Sequence, residues 1–149
     1  MGETFGMHLM LDGYGCDRSK LENETYVYRF LDEFPDDIGM TKIMRPSVLK
    51  YDGADVDECG ISGFVLIAES HVSIHTFPAT GYVSIDIFSC KSFSLEAAER
   101  EIVRRFDIDT VEKNVLDRGV EYPRDTVLVN ELVDSERDSV RLKAVGAKW

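Results

Sequence analysis

Residues Gly63–Ser89 read GFVLIAESHVSIHTFPATGYVSIDIFS, and three strand-like runs lie within them: Gly63 to Ala68, His71 to Phe77 and Tyr82 to Ser89. The last two are joined by Pro78-Ala79-Thr80-Gly81, whose residue types favour a turn. Strands that follow one another through such short connections pair antiparallel, so the middle of the chain predicts a mainly antiparallel sheet.

The flanks supply what covers it. Met7 to Asp12 reads as a further strand, closed by the turn-prone Asp12-Gly13-Tyr14-Gly15. From Ser19 to about Phe34 the apolar positions Leu21, Tyr28, Leu31 and Phe34 recur at mostly helical spacing, and Pro35-Asp36-Asp37 with Gly39 reads as the stop. Residues 40–50 predict another strand, followed by an exposed acidic loop from Tyr51 to Glu58. Beyond the central run, Ser94 can cap a helix through about Phe106, with Leu95, Ala98, Ile102 and Phe106 on one face. Strands are predicted around Thr110 to Leu116 and at Thr126 to Val129, before a charged tail from Asp134 to Trp149. The expected architecture is α+β: a two-layer sandwich, a mainly antiparallel sheet covered by helices, in a single domain over residues 1–149.

Composition narrows the functional classes. With 149 residues, 44% apolar and 30% charged, the chain is in the ordinary globular range. Its longest apolar stretch, Phe64 to Ala68, is far below the roughly 20 residues that cross a bilayer, and Met1-Gly2-Glu3-Thr4 lacks a basic, signal-like flank. A cytoplasmic location without membrane contact is the expectation. A net charge of −11 argues against nucleic acid as a partner and weakly favours a cationic small molecule. Cys16, Cys59 and Cys90 lack CxxC spacing, so neither a disulfide framework nor a metal site is expected.

One stretch carries chemistry. Glu69-Ser70-His71, a second histidine at His75, Thr76-Phe77-Pro78 and the later Asp86-Ile87-Phe88-Ser89-Cys90 stand together, with Gly60-Ile61-Ser62-Gly63 and Gly6-Met7-His8-Leu9 upstream. In this pattern the chain resembles the small prokaryotic S-adenosylmethionine decarboxylases over roughly residues 5 to 90. Decarboxylating an α-amino acid leaves a carbanion that needs an electron sink. A ketone forming a Schiff base with the substrate amine is such a sink, and no ordinary side chain has one.

The resemblance implies that the chain makes its own cofactor. Ser70 would attack the carbonyl before it, the amide would become an ester, and elimination would leave a pyruvoyl group at residue 70. The products would be fragments 1–69 and 70–149, cut between Glu69 and Ser70. The resemblance further implies that His75 is the processing base, Ser62 assists the rearrangement, and Cys90 returns a proton to the substrate carbon. In a regular strand Ser70 and His75 face opposite sides, so a site using both needs a local bend or two subunits. The family's answer is a homodimer with sites at the interface.

Two positions depart from the family. A glutamate that binds the substrate ribose is replaced by Ala79, and the aromatic that stacks on adenine, six residues before Ser62, is replaced by Val56. Each lost contact is worth about 1–3 kcal/mol. The acidic loop, with Asp52, Asp55, Asp57 and Glu58, lies where nucleoside contacts are expected, and carboxylates suit an ammonium or guanidinium. Val56, Asp57, Glu58 and Ala79 are therefore the candidate substrate-binding positions. The first expectation is a decarboxylase of L-arginine or L-ornithine in polyamine biosynthesis. The alternatives are an S-adenosylmethionine decarboxylase with a rebuilt nucleoside pocket, or a non-catalytic regulatory homologue that stays uncut. Acidic surface loops are commonly just solvated, and His71 and His8 read as hydrogen-bonded structural residues.

Overall fold

The computed structural model describes residues 5–121; the predicted strand at Thr126–Val129 and the tail from Asp134 lie outside them. Contacts divide the chain into two units, Gly6–Arg118 and Met1–Phe5 with Gly119–Trp149. The sheet and its helices all belong to the first.

Six strands form one sheet: β1 (Gly6–Tyr14), β2 (Ser47–Tyr51), β3 (Gly60–Ile67), β4 (Ser70–Phe77), β5 (Tyr82–Ser89) and β6 (Thr110–Arg118). Their order is β2-β3-β4-β5-β1-β6, and every neighbouring pair is antiparallel. This is the expected α+β fold. Because side chains alternate across a strand, Val72, Ile74 and Thr76 of β4 and Val83, Ile85 and Ile87 of β5 point to one face and are fully or almost fully buried. The helices α1 (Arg18–Leu21), α2 (Glu24–Asp37) and α3 (Leu95–Phe106) cover that face through Leu21, Phe30, Phe34, Ile102 and Phe106. Each such side chain contributes about 1.5–3 kcal/mol by leaving water. Gly63 lets α2 approach, since a Cβ there would stand 2.8 Å from the Leu31 side chain.

Three expectations change. The single helix predicted from Ser19 is two, because Asn23 accepts the Tyr26 N–H at 3.0 Å and starts a second helix. Pro35 is buried within α2 and does not stop it; the helix runs on to Asp37. Of the strand predicted over 40–50, only Ser47–Tyr51 forms. The segment before it gives its main-chain groups to the β3–β4 turn: Ala68 N–H donates to Thr41 O at 2.8 Å and Ile43 N–H to Leu66 O at 3.1 Å.

The other face of the sheet carries Ser62, Phe64, Leu66, His71, Ser73, His75, Asp86, Phe88 and His8, and among the described residues no helix of this unit lies over it.

Candidate active site

The candidate residues expected from the sequence fall at two places on β3 and β4. At the hairpin between them, Ser70 has φ 153°, a region that side chains other than glycine's rarely adopt. Such a backbone holds about 1–3 kcal/mol of strain. The carbonyl oxygen of Glu69, immediately before it, accepts the main-chain N–H of Cys90 at 2.9 Å. Pairing of Ser70 with Ser89 brings the end of β5 alongside, and Cys90 is exposed there. Sequence reasoning does not find this contact, since a main-chain donor has no residue signature.

The second place is the open face. Ser62 and His75 stand opposite each other across β3 and β4, with Ser62 Oγ and His75 Nδ1 hydrogen-bonded at 2.8 Å. The register of β4 runs unbroken from Ser70 to Phe77 against β5, so no bend brings the pair to Ser70. Five residues of strand separate Ser70 from His75 by about 17 Å.

Within one chain the hydroxyl of Ser70 meets a different histidine: Ser70 Oγ lies 3.3 Å from His71 Nδ1. Burial, then the nearby His8 and Arg118, push the His71 pKa below the usual 6.5. A neutral ring can accept a proton from Ser70. The sequence predicts a structural part for His71; its ring lies beside the Ser70 hydroxyl. His8 pairs with Asp86 at 3.2 Å.

A cleft of about 140 Å³ opens beside the start of β3, lined among others by Val56, Ala79, Cys59 and Gly60. The two positions that depart from the family thus line the same cleft. Asp57 and Glu58 do not line it. Its carboxylates are Glu22 and Asp52, and each already faces a cation, Arg18 at 3.4 Å and Lys50 at 3.6 Å.

Comparison with known proteins agrees with this geometry. The family model described as S-adenosylmethionine decarboxylase matches residues 7–119. An S-adenosylmethionine decarboxylase proenzyme of Archaeoglobus fulgidus is 37% identical over 115 residues, covering 76% of this chain and 97% of that one. One from Bacillus velezensis is 32% identical over 126 residues, covering 79% and 89%. The crystal structure of the adenosylmethionine decarboxylase from Aquifex aeolicus superposes with a TM-score of 0.62 at 29% identity, over 78% of this chain and 92% of that one.

Fold, site and relatives define a pyruvoyl-dependent carboxy-lyase. The chain belongs to the S-adenosylmethionine decarboxylase family, whose cofactor comes from a serine of the chain itself. The residues present fit that group: a serine in strained backbone follows a carbonyl already held by a hydrogen-bond donor. Among the described residues no helix is long and apolar enough to cross a membrane, and no cluster of His, Cys, Asp and Glu could hold a metal ion.

Proposed function

We propose that the chain cuts itself between Glu69 and Ser70 and then decarboxylates S-adenosylmethionine. The observation that carries the processing is the Cys90 N–H on the Glu69 carbonyl, beside the strained Ser70. As Ser70 Oγ bonds to the Glu69 carbon, negative charge gathers on that oxygen, where the donor already stands. The C–N bond then breaks and the hydroxyl proton ends on the amine. Elimination splits the Ser70 Cβ–O bond and frees the Glu69 carboxylate; water taken up and ammonia released leave the ketone.

In decarboxylation the pyruvoyl group supplies an electron sink for the bond to the departing carboxylate. The chain's own part is to hold the substrate and move protons. Cys90, exposed beside residue 70, would return a proton through its thiol. Ser62 and His75 are some 17 Å along the strand, so we assign them to the site of a second subunit. A homodimer through the open sheet face would bring the pair of one protomer to Ser70 of the other. The uncovered Phe64, Leu66 and Leu116 on that face, each 40% exposed or more, support such an interface.

The names of the relatives support S-adenosylmethionine as substrate. A second reading, L-arginine or L-ornithine, is favoured by one observation: Val56 and Ala79 leave the cleft without an aromatic or a carboxylate at both nucleoside-contact positions. The paired state of Glu22 and Asp52 weighs against it, since their field on a guanidinium is already offset. Carbon dioxide release from the three substrates decides. Turnover of S-adenosylmethionine alone supports the first reading, and turnover of a basic amino acid alone replaces it with the second. An uncut chain, seen as one intact mass, would overturn the processing.

A further inference from the structure

Glu69 contributes more than its carbonyl. Its side-chain Oε2 accepts the main-chain N–H of Thr41 at 3.1 Å. Thr41 is itself tied to the turn, since its carbonyl accepts Ala68 N–H at 2.8 Å, and the next residue, Lys42, bridges to Ile67. Lys42 is fixed in turn to α2, with Nζ 2.6 Å from Asp32 Oδ1. The residue before the cut is therefore gripped twice: by its side chain on a segment anchored to α2, and by its carbonyl oxygen on Cys90 at the end of β5.

We infer that the Glu69 carboxylate is a positioning group for self-processing, a clamp that holds the scissile carbonyl on the Cys90 N–H while Ser70 attacks. This inference rests on the processing reading above. A strained Ser70 would release its strain by turning the peptide away from Cys90. A peptide held at both its side chain and its carbonyl cannot turn without breaking a hydrogen bond to each neighbour. The attack geometry is then preformed, which is how a slow intramolecular reaction gains rate. No atom of Glu69's side chain takes part in bond making: Ser70 Oγ–C forms, C–N breaks, and the proton moves from oxygen to nitrogen. The same clamp also keeps the new Glu69 carboxyl end in place after the cut.

The test compares processing rates of the full chain and of Glu69→Ala and Glu69→Gln, following conversion of the full-length mass into two fragments after synthesis. Glu69→Ala is expected to cut at least tenfold more slowly. Glu69→Gln, whose amide oxygen still accepts the Thr41 N–H, is expected to recover to within a few-fold of the natural chain. An alanine variant that cuts at the natural rate overturns the inference, and so does a glutamine variant as slow as alanine. Both alanine and glutamine changes are also made in an uncleavable Ser70→Ala chain. Loss of the cooperative unfolding transition in the alanine version would show a collapsed turn in place of a clamp, and overturns the inference as well. Should the natural chain itself never cut, the processing reading fails, and that is visible before any variant is compared.

Discussion

Ser62 Oγ and His75 Nδ1 are 2.8 Å apart on adjacent strands, yet the strand that carries His75 keeps them about 17 Å from Ser70. A single chain thus holds a hydroxyl–imidazole pair and the turn at which the cut is proposed without bringing them together.

If a second subunit closes that gap, processing must work between chains. A His75→Ala chain alone and a Ser70→Ala chain alone are each expected to remain uncut. Expressed together, they form mixed dimers in which the His75 of one serves the Ser70 of the other, and fragments of the His75→Ala chain are expected. Fragments absent from the mixture, with mixed dimers demonstrated by differential tagging, would overturn the between-chain reading. A His75→Ala chain that cuts by itself would instead make His71, 3.3 Å from Ser70 Oγ, the base.

Cys90 separates main chain from side chain. Its N–H holds the Glu69 carbonyl, and no side-chain substitution removes an N–H other than one to proline. Cys90→Ala is expected to cut at close to the natural rate but to lose decarboxylation by about 10²-fold or more, the scale of a lost general acid. Fragment masses and carbon dioxide release read the two effects from one preparation. Equal loss of both would assign the thiol to processing.

Much of this is legible in the sequence, and the reasons differ by element. β4 and β5 announce themselves because Val72, Ile74, Val83, Ile85 and Ile87 alternate with polar residues at the period of a half-buried strand. The break between α1 and α2 is hidden because Leu21, Tyr28 and Leu31 keep an acceptable helical phase across it. Asn23, a capping residue followed by Glu24, is the signal available. The motif residues are legible through family resemblance. The Thr41–Glu69 and Cys90–Glu69 contacts are not, because each uses a main-chain N–H whose identity is the same in every residue but proline.

Thr76 shows the stability cost of a single buried hydroxyl. Its Oγ1 accepts Ile61 N–H at 2.9 Å and donates to Leu21 O at 2.8 Å, joining β3, β4 and α1 with 2% exposure. Thr76→Val keeps the shape and strands both partners in the interior. A loss of about 1–3 kcal/mol is expected, read from the urea midpoint of an uncleavable Ser70→Ala chain. A change within error would mean that water reaches the site.

Protons on His71 couple stability to pH. Its pKa in the fold lies below the unfolded value of 6.5, through burial first and then His8 and Arg118, with Asp86 opposing. Between the two values the unfolded chain binds more protons than the folded one. The His71 contribution is therefore fully present above about pH 6.5 and lost as pH falls from there through the lower folded value. Relative to a His71→Gln chain, both carrying Ser70→Ala, the chain with histidine should lose urea stability as pH drops from about 7.5 to about 5.5. Parallel curves would show that the ring titrates as it does in water.

The cleft offers the most direct measure of substrate. Under the S-adenosylmethionine reading, Ala79→Glu returns a carboxylate to the cleft that Val56 and Ala79 both line, and Val56→Phe returns a stacking ring. Each added contact is worth about 1–3 kcal/mol, or roughly 5- to 150-fold in affinity. If the nucleoside lies in this cleft, KM for S-adenosylmethionine falls in each variant while kcat stays near its starting value, because neither position touches the scissile turn or Cys90. If the natural substrate is a basic amino acid, the same changes crowd the cleft and turnover of that amino acid falls. Variants that leave both activities unmoved would locate the substrate elsewhere, on the open face of the sheet, where only the assembled dimer could bind it.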